Sequence, residues 1–399
     1  MWWNRKKPPS PESQRAPQPP GDPVAAAEAP PPPHRTAFIL LGLGGATVAA
    51  FGLAAIGTIF ALSFFALVLT ICVYPIRSWL ERHGVPRGVA SVAVILAVVL
   101  LLGAFAGALV VSFGQFAALL PQYTDQLQSW VDGFGEWLAS IGFGQAQVQS
   151  IVSGLDPGAI AGVLGGVLGS AASLLSGVVI LVTMLILMAM DASYAKTLTR
   201  DLRTRKPLLA EASVGYTFGV RRYMVVTTVL GAAQGLVNWI ALVILGVPGA
   251  ALWGLLAFIC SFIPNIGYFI AIVPPIVFAA LVGGWPLVIA VIVVYGLVNG
   301  IIQSIIQPRV VGNAVALSQS LTFFSVLFWA VVLGPIGAIL AIPLTLLVRM
   351  LLVDSNPANA WIRPALGDLN QARRVMDAED AAAKAERRGR RHPEDAAGA

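Results

Sequence analysis

The stretch Gly235-Leu236-Val237-Asn238 recurs as Gly296-Leu297-Val298-Asn299, each time inside a long apolar segment. A second repeat follows each copy, in which Ile-Gly leads to Ala-Ile and then to Pro, at 266–274 and again at 336–343. The two repeats predict a duplicated unit made of one helical span and one segment interrupted by Gly and Pro. Paired interruptions in the two halves of a membrane protein point to a transport site.

The composition is typical of a polytopic membrane protein. Hydrophobic residues make up 57% of the chain and charged residues 11%, with a mean hydropathy of +0.81, whereas a soluble domain carries about 25% charged residues. The net charge is +6. The basic residues lie between apolar runs, where they set membrane orientation, so they do not indicate a nucleic-acid partner. Cys72 and Cys260 both lie in apolar runs, where packing is expected rather than a disulfide or a metal site.

The distribution of charge predicts the path of the first half of the chain. Residues 37–73 carry no charge and are too long for one span, so we expect two short spans with a turn near Gly52 or Gly57. Between Arg87 and Lys196 there is no basic residue. Residues 114–166 fall in this gap and are acidic, which predicts an outside location. Their apolar residues recur at helical spacing and predict amphipathic helices, lying either on the membrane face or against neighbouring subunits.

The repeated region predicts two interrupted hairpins of opposite orientation. Residues 250–263 are too short to cross the membrane before the break at 264–267, and this hairpin is expected to enter from outside. Residues 321–333 are equally short before the break at 334–337, but their flanks are basic and are therefore expected inside. Non-helical backbone at membrane depth must be buried in protein or line a watery cavity. Two such breaks meeting near mid-depth would make a polar site.

The predicted fold is an all-α polytopic membrane protein with about six full spans and two oppositely oriented re-entrant helical hairpins forming an inverted repeat. The predicted regions are a disordered cytoplasmic tail at 1–36, three spans at 37–113 with a cytoplasmic loop at 74–87, extracytoplasmic amphipathic helices at 114–166, a fourth span at 167–190, a cytoplasmic helical segment at 191–222, an inverted-repeat transport core at 223–353, and a charged cytoplasmic tail at 354–399.

Polar side chains in the transport core are the candidates for a solute path. Residues 223–353 contain no Asp, Glu, Lys or His, and the two arginines, Arg309 and Arg349, are both predicted near the inner face. The predicted path comprises Gln234, Asn238, Asn265, Asn299, Gln303 and Gln307, with Ser261 available beside them. The predicted hairpin tips and hinges are Pro264, Gly267, Gly334, Pro335, Gly337 and Pro343. For any single amide, the alternative is a hydrogen bond between helices.

Several short motifs resemble the autoinducer-2 exporter (permease-type) family of bacterial membrane proteins. They are Tyr74-Pro75-Ile76, the stretch 80–87, the Pro-Asn-Ile-Gly turn at 264–267, Gln-Pro-Arg-Val-Val-Gly at 307–312, Ala-Leu-Ser at 316–318, and the run from Gly-Pro-Ile-Gly at 334–337 to Pro343-Leu344. The chain departs from the family pattern at Tyr268-Phe269 and at Gln319. The resemblance implies a transporter of the bacterial cytoplasmic membrane, whose relatives are linked either to export of a small furanone signal or to exchange of sodium or lithium for protons.

Three functions remain open at this point. The first is an exporter or facilitator for a small polar solute, because a neutral hydroxylated molecule needs only amides, hydroxyls and free backbone groups. The second is Na⁺(Li⁺)/H⁺ antiport, for which Asp191 is the one carboxylate near the core and ionisable groups are usually required. The third is a membrane scaffold that transports nothing.

No enzyme, cofactor or metal site is expected. The three histidines lie in tails or a loop, and no phosphate-binding loop, metal-ligand cluster or nucleophile triad is found in the sequence. The expected partners are the lipid bilayer, the solute and further copies of the chain, because the glycine ladder at 158–177 favours close helix packing. Both termini are expected in the cytoplasm.

Overall fold

The computed structural model describes residues 35–142, 144, 147, 171–311 and 317–367. Within these residues the chain is helical and contains no β-strand, and several helices are apolar enough to cross a membrane, which confirms the all-α polytopic fold class. The tail before residue 35, most of the glycine ladder and the tail from residue 368 lie outside the described residues. The predictions made for them stay predictions.

Helices make up nearly all of the described residues. Up to residue 244 the described helices are α1 (Arg35–Ala55), α2 (Gly57–Arg82), α3 (Arg87–Leu119), α4 (Thr124–Ser140), α5 (Ala171–Arg205) and α6 (Pro207–Ile244). The remaining helices are α7 (Ala250–Cys260), α8 (Gly267–Asn299), α9 (Gln307–Val311), α10 (Gln319–Ile339), α11 (Ala341–Arg349) and α12 (Arg363–Leu366). Short 3₁₀ helices occupy Leu120–Tyr123 and Pro357–Ile362, and π-helical segments occupy Gly300–Ile306 and Met350–Asp354.

Five helical stretches of the described chain have the length and composition of membrane spans. They are Gly57–Arg82, Arg87–Gln126, Pro207–Ile244, Gly267–Ile306 and Gln319–Ile339. The last two are interrupted by non-helical glycines, Gly284 and Gly334. Shorter apolar helices at Leu40–Ala55 and Gly177–Asp191 fall where the first and fourth spans are predicted. The entry of the two hairpins from opposite membrane faces stays a prediction.

The segment 74–82, expected in a loop, is helical and continues α2 through Pro75. A proline inside a helix has no N–H to donate to the carbonyl four residues earlier, which here belongs to Ile71. Arg221 of α6 supplies the missing donor, with its Nε 2.9 Å from the Ile71 oxygen. The helix therefore tolerates Pro75 because a side chain from another helix satisfies the freed carbonyl.

α3 also runs further than the predicted span, which was expected to end at residue 113. Phe116 on this extension is buried, and its ring contacts those of Trp253 and Phe278 at centroid distances of 5.0 and 4.9 Å. Tyr123, just beyond α3, contacts the ring of Phe278 from 6.1 Å. The part of the predicted amphipathic region that contains Phe116 and Tyr123 therefore packs on its own chain.

The contacts divide the chain into two compact units, one ending at Gly52 and one beginning at Leu53. In the first unit, several apolar side chains of α1 are exposed, among them Leu41 and Phe51. In the second unit, a buried cluster that includes Ala66, Val98 and Leu181 joins α2, α3 and α5. Two larger clusters hold the repeated region and position the candidate site.

Candidate functional site

The first interrupted segment of the repeated region is a helical hairpin, which we call hairpin 1 (residues 250–283). α7 ends at Cys260, a turn occupies 261–266, and α8 begins at Gly267. The rings of Trp253 and Phe278 stack 5.8 Å apart, although 25 residues separate them, so the two arms run antiparallel. A Cβ at Gly267 would overlap the carbonyl oxygen of Cys260, which explains glycine at this position.

The second interrupted segment, hairpin 2 (residues 319–349), also reverses direction. Gly334 breaks α10 with φ 71° and ψ −157°, a conformation essentially restricted to glycine, and Pro335 follows it. Across the break, Trp329 Nε1 donates to Thr345 Oγ1 at 3.1 Å. A straight helix would separate these two residues by about 24 Å, so the arms lie side by side.

The two hairpins share a packing detail that the sequence repeat predicts. Gly267 and Gly337 occupy equivalent positions in the two copies of the Ile-Gly repeat. A Cβ at Gly337 would overlap the carbonyl oxygen of Trp329, just as one at Gly267 would overlap that of Cys260. At each position glycine lets the returning chain touch the backbone of the incoming arm. This common geometry supports the internal repeat.

The tip of hairpin 1 contributes to the same buried apolar cluster as hairpin 2. Phe262 and Ile266 of the first tip belong to one cluster with Leu333, Leu340 and Ile342. α6 holds the first tip as well, because the Tyr223 hydroxyl donates to the Phe262 carbonyl at 3.4 Å. The contact between the hairpins is therefore apolar, whereas the sequence predicted a polar site there.

Buried polar side chains lie instead on the two helices that carry the Gly-Leu-Val-Asn repeat. On α6, Gln234 is 3% exposed and Asn238 is 0% exposed. On α8, Tyr295 is 1% exposed and Asn299 is half-buried. The two helices contact each other, and each carries its pair of polar groups four residues apart, on one helical face. We call these four residues the polar band.

The polar band has polar atoms without a hydrogen-bond partner among the described residues. They are Gln234 Oε1, Asn238 Oδ1 and Nδ2, Tyr295 Oη and Asn299 Oδ1. An unsatisfied buried polar group costs about 1–3 kcal/mol, so native proteins keep such groups where a water, an ion or a ligand binds. The sequence predicted Gln234, Asn238 and Asn299 but missed Tyr295. The signal was present, because Tyr295 precedes the second Gly-Leu-Val-Asn copy as Gln234 precedes the first.

Of the other predicted path residues, Gln303 and Gln307 follow the polar band along the chain, and Asn265 lies between its two halves. Gln303 is half-buried in the π-helical segment that follows Asn299, and Gln307 is half-buried at the start of α9. π-helical turns are frequent at functional sites. Arg309 is exposed on α9, while Asn265 is exposed on the turn of hairpin 1. Asn265 has a φ of 64°, the one positive φ outside glycine among the described residues.

Close helix contacts seat hairpin 1 on α6. A Cβ at Gly235 would lie 2.6 Å from the Gly254 carbonyl oxygen, and one at Gly254 would lie 2.9 Å from the Gly235 oxygen. One turn earlier, a Cβ at Gly231 would overlap Ser261 Oγ. Gly231 and Gly235 form the small-xxx-small spacing that lets membrane helices approach closely. Sequence reasoning missed Gly231 and Gly254.

At the basic end of the bundle, the chain around Arg309 is held by α6. Arg222 donates from Nε and Nη2 to the Val310 carbonyl, at 3.0 and 2.7 Å. Among the residues that the structure describes, no three His, Cys, Asp or Glu side chains converge on a possible metal position. The site therefore offers amides, a phenol and backbone groups to a bound molecule.

Two antiparallel hairpins and buried amides on long apolar helices are features expected of a membrane transport protein. The AI-2E transporter family matches residues 37–354, and the chain belongs to this family. It is 28% identical over 311 residues to the AI-2 transport protein TqsA of Escherichia coli K12, covering 77% of this chain and 88% of TqsA. It is also 28% identical over 308 residues to the "Putative transport protein YhhT" of the same strain, with the same coverage. The "Putative transport protein MT0215" of Mycobacterium tuberculosis is 25% identical over 298 residues, covering 70% of this chain and 78% of that protein.

Proposed function

We propose that this transport protein carries a small, uncharged, polar solute, and that the amides of the polar band bind it. The main support for this proposal is the set of unpartnered polar atoms on Gln234, Asn238, Tyr295 and Asn299. A hydroxylated solute both donates and accepts hydrogen bonds, so it can satisfy an amide oxygen, an amide nitrogen and a phenol together. An autoinducer-2-like signal has this chemistry, and the similarity to the AI-2 transport protein TqsA supports that choice.

The two hairpins supply the gates in this proposal. Glycines at both breaks let the backbone change direction, and Pro335 keeps the second break from closing into a helix. Each hairpin neighbours one helix of the polar band in sequence, so movement of a hairpin would open or cover the band. We expect the hairpins to enter from opposite membrane faces, which would give alternating access.

We further propose export or facilitated passage across the bacterial cytoplasmic membrane, with both termini in the cytoplasm. The excess of Lys and Arg in 196–222 supports this orientation. A homo-oligomer is also proposed. Its support is a stacked pair of exposed aromatic side chains on α4, Phe134 and Trp137, with ring centroids 5.6 Å apart.

The decisive test measures both solute flux and stability in one variant, Asn238→Leu. Leucine has the same branched shape and the same number of side-chain heavy atoms, and it removes both unpartnered amide atoms. If Asn238 binds solute, flux in reconstituted vesicles should fall at least about tenfold, the loss expected for one or two hydrogen bonds. The melting temperature should stay level or rise, because an unsatisfied buried amide is gone. If Asn238 only bonded a neighbouring helix, the melting temperature would fall instead.

Thr228→Val is the matched control on the same helix. The Thr228 hydroxyl already bonds to the Met224 carbonyl at 2.7 Å, so its removal should leave flux unchanged. A panel of neutral hydroxylated solutes should be run with and without a sodium or proton gradient. Wild-type flux in Asn238→Leu would contradict the proposal. A sodium- or lithium-driven pH change without solute flux would favour cation–proton exchange.

A further inference from the structure

A groove lies between α2 and α6, next to Arg221 and Arg222. On α6 it lies N-terminal to the polar band. Its volume is about 440 Å³, and its walls include Cys72, Pro75, Ile76, Phe218, Arg221 and Arg222. We propose that this groove binds an anionic phospholipid, with the phosphate on the two guanidinium groups and an acyl chain along α6. The proposal does not depend on which solute the protein transports.

Both arginines are held in place while keeping N–H donors available. Arg221 uses Nε on the Ile71 carbonyl, and its guanidinium lies 5.9 Å from the ring centroid of Tyr74. Arg222 uses Nε and Nη2 on the Val310 carbonyl. A guanidinium has five N–H donors, so both nitrogens Nη of Arg221 and Nη1 of Arg222 remain for a ligand.

Neither guanidinium has a carboxylate within salt-bridge distance among the described residues, in contrast to Arg77, which pairs with Glu81 at 2.9 Å. Two fixed positive charges in one groove therefore lack a counter-charge from this part of the chain. Arginine is the side chain best suited to phosphate, because its planar fork can donate two parallel hydrogen bonds. The two positive charges of the groove therefore favour an anion, and the planar guanidinium groups favour a phosphate among anions.

The apolar surroundings favour a lipid over a free phosphate. Phe218, Val225 and Val229 are 55%, 45% and 62% exposed. With Arg222 they follow the spacing i, i+4, i+7 and i+11, so they share one face of α6. The Arg222 guanidinium lies 6.0 Å from the centroid of the Phe218 ring. An acyl chain on this stripe would bury the valines while its headgroup stays at the arginines.

The position of the groove along α6 matches the level of lipid headgroups. Arg221 and Arg222 are the last charged residues before an uncharged stretch that continues to residue 308. Lys and Arg at such a boundary mark the cytoplasmic interface, and that leaflet carries the anionic lipids that basic pockets between helices bind. Arg222 also donates to the Val310 carbonyl. The lipid would therefore lie beside the chain that connects the polar band to hairpin 2.

Lipid binding to the purified full-length protein tests this site. Native mass spectrometry in a neutral detergent should show binding of phosphatidylglycerol in preference to phosphatidylcholine. The double variant Arg221→Gln/Arg222→Gln removes both charges and should weaken phosphatidylglycerol binding about twenty-five-fold, at roughly a factor of five for each charge. The control Arg203→Gln removes an exposed charge from α5, outside the groove, and should bind like wild type.

A second variant keeps the test valid if the double variant fails to fold. Val225→Glu leaves both arginine–carbonyl hydrogen bonds in place but puts a carboxylate in the groove, so it should also weaken phosphatidylglycerol binding. Competition with inorganic phosphate at constant ionic strength separates a free anion from a lipid. Equal binding of the two lipids, full displacement by phosphate alone, or an equal loss in Arg203→Gln would each overturn the proposal.

Discussion

The two hairpins differ most in the arm that returns from each turn. In hairpin 2, the residues from Gly337 to Leu344 are buried almost throughout, and Leu340 and Ala341 have no exposed surface. In hairpin 1, the equivalent residues 267–274 include Phe269 and Ile270, which are exposed. The same repeat has therefore produced one returning arm that forms part of the core and one that lies partly at the surface.

The anchors of the hairpins differ in a corresponding way. Hairpin 1 is fixed near its base, where the rings of Phe116, Trp253 and Phe278 meet. The base of hairpin 2 is tied to the segment after the core, since Ser318 N–H donates to the Leu366 carbonyl at 2.7 Å. Local opening is easiest where few apolar contacts are lost. We therefore expect the returning arm of hairpin 1 to move more readily than that of hairpin 2.

The largest effect should come from adding one methyl group at each turn. Gly337→Ala puts a Cβ against the Trp329 carbonyl at the start of the buried returning arm, where no neighbour can shift cheaply. We expect a loss of more than about 3 kcal/mol in unfolding free energy, enough to prevent recovery of folded protein. Gly267→Ala meets the Cys260 carbonyl, but the arm that follows it is partly exposed and can shift more easily, so this variant should destabilise less. Thermal unfolding in detergent measures both.

Gly215→Ala provides the control for these two variants. Gly215 lies within α6 with open space around the position of a Cβ, so alanine should raise stability by up to about 1 kcal/mol through helix propensity. If Gly267→Ala proved as damaging as Gly337→Ala, the two returning arms would be equally constrained. The proposed difference in mobility would then be wrong.

A smaller effect should follow from separating the arms of hairpin 2. Trp329→Phe removes the Nε1 donor and leaves Thr345 Oγ1 without its partner, which should cost about 1–2 kcal/mol. The double variant Trp329→Phe/Thr345→Val removes both groups and should be less destabilising than the sum of the single changes. Strict additivity in this cycle, measured by thermal unfolding, would show that the bond does not hold the arms together.

Sequence reasoning succeeded where local chemistry decides the backbone. The breaks at Gly267 and Gly334 could be predicted because Gly and Pro interrupt helices whatever surrounds them. It failed at Pro75, where α2 continues because Arg221 satisfies the freed carbonyl. It also missed the contact of Gly235 with Gly254, since neither position alone reveals its partner. Contacts between distant segments were the part that could not be derived.

The candidate site shows the same division. Polar residues in an apolar stretch are visible in sequence, so Gln234, Asn238 and Asn299 were identified before their burial was known. The sequence did not reveal which of the predicted polar residues lie in the polar band and which lie at a hairpin tip. The sequence predicted a polar contact between the two hairpins. In the structure, Phe262 of hairpin 1 and Leu340 of hairpin 2 instead belong to one buried apolar cluster. An apolar side chain at a tip carries no signal that distinguishes it from the rest of a span.

The smallest effect, at Asn265, separates a ligand from a turn residue. Its φ of 64° lies in the left-handed region, which asparagine and glycine adopt most easily. If the turn alone requires asparagine, Asn265→Gly should preserve both stability and solute flux, whereas Asn265→Ala should cost about 1 kcal/mol from backbone strain. If the amide contacts the solute, glycine should reduce flux as strongly as alanine does. Comparing the two variants in vesicle flux and thermal unfolding therefore decides whether the exposed tip of hairpin 1 belongs to the solute path or only lets the chain turn.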